Sequence, residues 1–431
     1  FNYGDDARGE IILDANGNIL VAACTKSNNF PTTVGAPRRA LGGPQDGVVI
    51  RLSSNLRNLL WSTYVGGNGW DAAYGIKEDK LGNVLVTGGT TSNNLSTPGS
   101  PLNGSYQGGA ADGFVAKFNA TGNSLLASTY IGTNSYDQSY FIEVDTFNNV
   151  YITGQTTGNY PVVGNVYQNI GARQFITKLD NNLSRIIYST RFGQVNAPGV
   201  NISPTAFLVD RCQNVYVAGW GGETNDLGNV NFGSANNLVG TTTGMPLKDP
   251  IQSRTDGSDF YIIVLDRDAK NILFGSYMGG NNGNEHVDGG TCRFDKEGII
   301  YHAVCAGCGG NSSFPTTPGV VSRTNNSRNC NLAGFKIQLD LAGIKAAFNP
   351  LDANNAPLTF EGCAPLFVRF NNRSNNTTPD TRYEWTFGTG NTSIKRSPDF
   401  VFNTPGEYQV RLVIVDSTSC NVTDTTYGTI I

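Results

Sequence analysis

Apolar residues along this chain come in short runs, each interrupted by turns rich in Asn, Asp and Gly, and the alternation within the runs is that of half-buried strands. The pattern repeats. Asp14-Ala-Asn-Gly-Asn18 followed by Ile-Leu-Val returns as Asp79-Lys-Leu-Gly-Asn83 before Val-Leu-Val, as Asp145-Thr-Phe-Asn-Asn149 before Val-Tyr-Ile, and as Asp210-Arg-Cys-Gln-Asn214 before Val-Tyr-Val. A degenerate fifth copy is Asp295-Lys-Glu-Gly-Ile299, and the starting aspartates stand 65, 66, 65 and 85 residues apart. Satellites keep a fixed order around each copy. Upstream lies Ser62-Thr63-Tyr64, Ser128-Thr129-Tyr130, Ser189-Thr190-Arg191 or Ser276-Tyr277; downstream lies Phe30-Pro31-Thr32-Thr33, Tyr160-Pro161 or Phe314-Pro315-Thr316-Thr317. A second apolar run follows, as in Asp46-Gly47-Val48-Val49-Ile50 and Asp112-Gly113-Phe114-Val115-Ala116. Four strand-like segments per unit predict an all-β chain built as a β-propeller, with a solenoid as the alternative. Each marker aspartate is expected to accept backbone N–H groups across a hairpin turn, while Gly and Asn supply positive φ.

Composition narrows the function. With 53 glycines and only 15% charged residues the chain is poor in the residues that long solvent-facing helices carry. The net charge of −4, without a Lys/Arg cluster, gives no basis for nucleic-acid binding. No apolar run approaches the ~18 residues of a membrane helix, so no direct membrane span is expected. Eight cysteines against two histidines favour disulfides in an oxidising compartment, periplasmic or extracellular.

The residues Gly67, Asp71, Gly75-Ile76, Asp79, Gly82-Asn83 and Gly88, followed by the F-P-T-T and D-G-F-V-A-K elements, write a pattern that closely resembles the bacterial beta-propeller (SBBP) repeat. The resemblance spans residues 1–348. Five copies are visible, which predicts five four-stranded blades, with Ile344–Phe348 able to pair with Glu10–Leu13 and close the ring, a truncated larger ring being the alternative. Residues 349–431 resemble a PKD domain, an immunoglobulin-like sandwich, through Cys363-Ala364-Pro365-Leu366, Tyr383-Glu384-Trp385-Thr386-Phe387-Gly388 and Pro405-Gly406-Glu407-Tyr408 up to Val415-Asp416. Alternation of Tyr408, Val410, Leu412 and Ile414 predicts one apolar inward face. PKD domains of secreted Bacteroidota proteins, which this segment resembles, imply a bridge between Cys363 and Cys420. The combined modules resemble large exported proteins of gliding Bacteroidota. That implies export by type IX secretion, with a signal beyond Ile431, and a place on the outer-membrane exterior in an adhesin or gliding-motility apparatus.

Candidate chemistry is sparse. Cys292, Cys305, Cys308 and Cys330 crowd the fifth unit, and Cys305-Ala-Gly-Cys308 has metal or redox spacing. A zinc ribbon needs a second such pair and a thioredoxin-like motif needs a following helix, so local disulfides bracing a glycine-rich loop are the expectation, with no metal and no cofactor. His286 and His302 are expected to be structural or solvent-exposed. Asp6, Asp71, Asp137 and Asp288 recur at one repeat position and are expected to cap their own loops rather than form a catalytic pair. The largest departure from the repeat, Gly222 to Ser258, is the expected partner surface, with Asn229, Phe232, Met245 and Leu247 as anchors. The reading is a non-enzymatic secreted or cell-surface interaction scaffold whose partners are other surface or secreted proteins. The alternatives are a carbohydrate-binding component using exposed aromatics such as Trp70 or Trp220, and a propeller hydrolase or lyase using rim carboxylates.

Overall fold

The structure is a computed structural model and describes residues 8–222, 240–283, 285–287, 293–295, 298–339, 341 and 343–431. These are almost entirely strand and turn, in two compact units that divide between Ile337 and Gln338. In the first unit antiparallel meanders follow one another. They are β1 (Glu10–Leu13), β2 (Ile19–Thr25), β3 (Asp46–Leu52) and β4 (Leu59–Val65), then β5 (Asp71–Glu78), β6 (Val84–Thr90), β7 (Asp112–Phe118) and β8 (Leu125–Ile131). The next pair comprises β9 (Asp137–Val144), β10 (Val150–Thr156), β11 (Gln174–Leu179) and β12 (Ile186–Phe192), then β13 (Ser203–Val209), β14 (Val215–Trp220), β15 (Phe260–Leu265) and β16 (Ile272–Met278). A fifth sheet has β17 (Arg293–Phe294), β18 (Ile300–Ala306) and β19 (Asn331–Ile337).

First strands gather on one axis. Lys77 of β5 lies 3.7 Å from Glu10 of β1 and 3.1 Å from Glu143 of β9, while Arg8, just ahead of β1, donates to Pro204 O and Ser203 Oγ of β13. The architecture is a β-propeller. The first four sheets are apolar on both faces and fill the space between neighbours: Leu20, Val49, Ile76, Val86 and Phe114 pack between the first two, and Ile176, Ile202, Val217 and Ile263 between the third and fourth.

The repeat glycine after the D-x-x-G-N turn has a steric cause. β5, β9 and β13 each break register opposite it, and a Cβ on Gly88, Gly154 or Gly219 would meet Ala72 O at 1.8 Å, Gln138 O at 1.9 Å or Ser203 O at 2.7 Å.

The second unit is a sandwich of two sheets. One holds β20 (Phe348–Leu351), β21 (Leu366–Asn372) and β24 (Asp399–Phe402); the other holds β23 (Thr392–Ser393), β22 (Arg382–Thr386), β25 (Tyr408–Val415) and β26 (Thr423–Ile430). Val410, Leu412 and Ile414 face inward around Trp385, whose indole N–H donates to Lys395 O at 2.9 Å. The expected ring closure by Ile344–Phe348 does not occur. Ile344, Ala346 and Phe348 are buried in the sandwich core, and Phe348 pairs with Asn372. The segment therefore belongs to the second unit, because that core offers its three apolar side chains complete burial.

Candidate functional site

The hairpin turns at one end of the blades are built from the marker aspartates. Asp14 Oδ1 accepts the N–H groups of Asn16 and Asn18, and Oδ2 accepts Asn18 Nδ2; Asp79, with Leu81 and Asn83, and Asp145, with Phe147 and Asn149, repeat the arrangement. Positive φ falls on Gly17, Gly82, Asn148 and Gln213 in turn. The third strand of each of the first three blades adds a cation. Arg51 pairs with Asp14, Lys117 Nζ lies 2.9 Å from Asp79, and Lys178 Nζ lies 3.1 Å from Asp145. Burial pushes these carboxyls up, but the turn hydrogen bonds and the cation outweigh it and hold all three below the ordinary range. In the fourth blade Val264 takes the cation's place opposite Tyr216. Asp210 has the Tyr216 hydroxyl at 3.0 Å instead, and burial there wins and raises its pKa. Sequence reasoning assigned the aspartates and overlooked the cations, although Arg51, Lys117 and Lys178 sit at one repeat position.

Between the first two turns opens a cleft of about 640 Å³, lined by Asn16, Asn18, Arg51, Trp61, Lys80 and Leu81 among others. Arg51 is committed within it to Asp14, Glu78 and Ala120 O. The Trp61 indole N–H is buried and has no hydrogen-bond partner among the described residues.

At the opposite end of the strands, Asp71 and Asp137 cap the loops ahead of them. Asp71 Oδ2 accepts Gly67 N–H and Ser92 Oγ–H, and Asp137 Oδ2 accepts the N–H and hydroxyl of Thr133. Each stands beside a second acid of the preceding blade that sequence reasoning left in an apolar run. Asp46 raises Asp71, and Asp137 raises Asp112. Burial first, then this like charge, puts Asp112 at about 8; burial alone leads at Asp71 and Asp137, both at about 6, and at Asp259, at about 7. All of these carboxyls are buried, so the seams present none of them to solvent. Asp6 and Asp288 lie outside the described residues.

Of the expected partner anchors, Asn229 and Phe232 also lie outside the described residues. Met245 is corrected: it is 3% exposed and packs with Tyr188, Tyr261 and Tyr277 in the core between the third and fourth blades. Met245-Pro246 is the fourth copy of the aromatic-proline satellite. Pro246 O accepts the Tyr261 hydroxyl, and Lys248 pairs with Gly275 of β16, as Val163 pairs with Ser189 of β12. Leu247 is exposed. Trp220 is corrected as well, being 1% exposed, whereas Trp70 is half-buried with Lys26 Nζ 5.2 Å from its ring.

The cysteines divide. Cys308 and Cys330 form a disulfide. Cys292 lies outside the described residues, and Cys305 keeps a thiol on the half-exposed side of β18 rather than entering a bridge. The bridge implied between Cys363 and Cys420 is absent: Cys363 is an exposed free thiol in the segment ahead of β21, and Cys420, in the β25–β26 turn, is engaged in a different disulfide. His286 exchanges two backbone hydrogen bonds with Cys305, at 3.2 and 3.0 Å. His302 is buried between Phe260 and Phe335, and desolvation lowers its pKa to about 3.

The family model for the beta-propeller repeat (SBBP) matches residues 128–161, and that for the PKD domain matches residues 355–430. No curated protein sequence matches the chain. Among solved structures, the PKD1 domain of the Vibrio cholerae metalloprotease PrtV is 27% identical, covering 20% of this chain and 93% of that one, with a TM-score of 0.15. A protein of unknown function from Dyadobacter fermentans is 12% identical, covering 76% and 75%, with a TM-score of 0.39. PorZ of Porphyromonas gingivalis, a surface component of the type-IX secretion system, is 10% identical over 99% of this chain and 59% of that one, with a TM-score of 0.27.

Proposed function

We propose that the chain is a non-catalytic, extracellular interaction module of an exported surface protein, in which the propeller is the docking platform and the PKD domain a spacer. The observation that carries this reading is the union in one chain of a propeller repeat and a PKD module with a disulfide-braced loop, because disulfides persist where proteins are exposed to an oxidising environment. The seam carboxyls are buried and accept hydrogen bonds from their own loops, which supports a structural role for them. The partners are other secreted or surface proteins, and the export route is type IX secretion.

Surface protease treatment of intact cells tests the location. The parent protein should be cleaved in wild-type cells and spared in cells lacking type IX export, and equal cleavage in both would reject the route. Gly222 N–H already donates to Gly240 O at 2.7 Å, so residues 223–239 can be excised with the blade kept. Excision should abolish crosslinking to neighbouring surface proteins on the cell, and unchanged crosslinking would remove that loop from the reading.

A second reading is favoured by the cleft between the first two turns, whose amide and charged side chains, Asn16, Asn18, Glu78 and Lys80, suit the hydroxyls of a glycan. Glycan-array binding that disappears in Asn16→Ala with Leu81→Ala would move the function there.

A further inference from the structure

Cys308 and Cys330 meet at the end of a loop where a third donor is already aimed at them. His286 Nδ1 lies 3.8 Å from Cys308 Sγ, and the donor atoms of His286, Cys308 and Cys330 all fall within 4.8 Å of one another. Backbone contacts other than the sulfur–sulfur bond also brace these positions. Gly307 and Gly309 take positive φ on either side of Cys308, and Gly310 N–H donates to Gly307 O at 3.0 Å, closing a tight turn after β18. His286 is held one strand away by its paired hydrogen bonds to Cys305. Asn325 Nδ2 donates to Gly307 O at 2.9 Å and to Asn329 O at 2.8 Å, tying the segment before Cys330 to the same turn.

We propose that reduction of the Cys308–Cys330 disulfide turns this loop into a zinc site, with His286 Nδ1 and the two thiolates as ligands and the fourth position open. Two sulfurs and an imidazole suit a borderline-soft, tetrahedral d10 ion and not calcium or magnesium, which take oxygen donors. Tetrahedral zinc, with bonds of about 2.3 Å to sulfur and 2.0 Å to nitrogen, separates those two atoms by about 3.5 Å, close to the spacing already present. The step balances with a dithiol as reductant. It gives two electrons and two protons to the disulfide, becomes a disulfide itself and leaves two thiols, whose protons pass to solvent as zinc binds. The loop is thus braced by a disulfide in an oxidising setting and by zinc in a reducing one.

The full chain, reduced with a water-soluble phosphine under anaerobic conditions, is alkylated with iodoacetamide with and without one equivalent of zinc, and each cysteine is read by peptide mass. Zinc should slow alkylation of Cys308 and Cys330 about tenfold or more, because a metal-bound thiolate is a poor nucleophile, while exposed Cys363 reacts unchanged. Equal rates with and without zinc, or protection that leaves Cys308 and Cys330 out, would overturn the proposal. Cobalt(II) titration gives an independent reading. Thiolate-to-metal absorption should saturate at one equivalent in the reduced chain, be absent in the oxidised chain and be lost in Cys308→Ser; the same absorption from the oxidised chain would also overturn it. The alkylation footprint uses the wild-type chain, so it decides the matter even where Cys308→Ser fails to fold.

Discussion

A carboxylate at the head of a hairpin needs its turn donors, and once buried it needs a cation as well. Lys117 supplies that charge to Asp79, which is 5% exposed. Lys117→Met should therefore lower stability by about 3 kcal/mol, since removing one partner strands the other charge in low dielectric. Asp79→Asn added to it should recover part of the loss, and the urea midpoints of the two variants check both statements. The fourth blade shows how the turn forms without a cation, using the Tyr216 hydroxyl and a raised Asp210 pKa. Asp112 carries the opposite pH signature to Asp79. Its folded pKa of about 8 stands above the ordinary value of 3.8, so its contribution is complete below the unfolded pKa and fades as pH rises toward 8. Stability should fall between about pH 4 and pH 8, the interval from the unfolded to the folded pKa, and level off above it, and Asp112→Asn should flatten that fall in urea titrations. An unchanged slope would place the lost proton elsewhere.

At the scale of the element, the repeat glycine is fixed by the carbonyl that approaches it. Gly154→Ala would set its methyl against Gln138 O, and β9 would have to retreat from β10; a loss of about 1 to 3 kcal/mol is expected from thermal unfolding. The methionine of the satellite loop is checked by a pair of variants. Met245→Ala should cost about 2 to 5 kcal/mol as a core truncation, whereas Leu247→Ala should stay within about 0.5 kcal/mol as a surface change. Both elements also show what the sequence made legible. Hairpins, blade order and capping aspartates could be read because they depend on local turn chemistry repeated at a fixed period. Met245-Pro246 escaped because its side chain differs from Phe30 and Tyr160 while its backbone does the same thing, crossing the fourth strand of its blade. The Asp46–Asp71 and Asp112–Asp137 seams escaped because each joins residues from adjacent blades, and spacing along one strand says nothing of the next. The His286, Cys308 and Cys330 cluster escaped for the same reason: its cysteines were visible, but the imidazole comes from a loop that the strand pairing alone brings near.

For the whole molecule the decisive question is where one folding unit stops. The expected boundary after Phe348 followed the repeat, since Ile344–Phe348 continues the apolar rhythm of a blade. Burial assigns those residues otherwise: Ile344 is 1% exposed, Ala346 7% and Phe348 9%, all within the sandwich core beside Trp385 and Phe370. A fragment of residues 338–431 therefore retains the complete apolar core of the second unit, whereas residues 349–431 begin after three of its members. Truncating a buried Ile or Phe costs about 2 to 5 kcal/mol each, and the total stability of a small domain is about 5 to 15 kcal/mol. The shorter fragment also forfeits the β20 hydrogen bonds of Phe348 to Asn372. With Cys363→Ser and Cys420→Ser in both, so that no intermolecular disulfide intervenes, residues 338–431 should unfold cooperatively on heating with the near-ultraviolet dichroism of a packed Trp385. Residues 349–431 should lack that signal or melt far lower. Equal melting of the two fragments would return Ile344–Phe348 to the propeller.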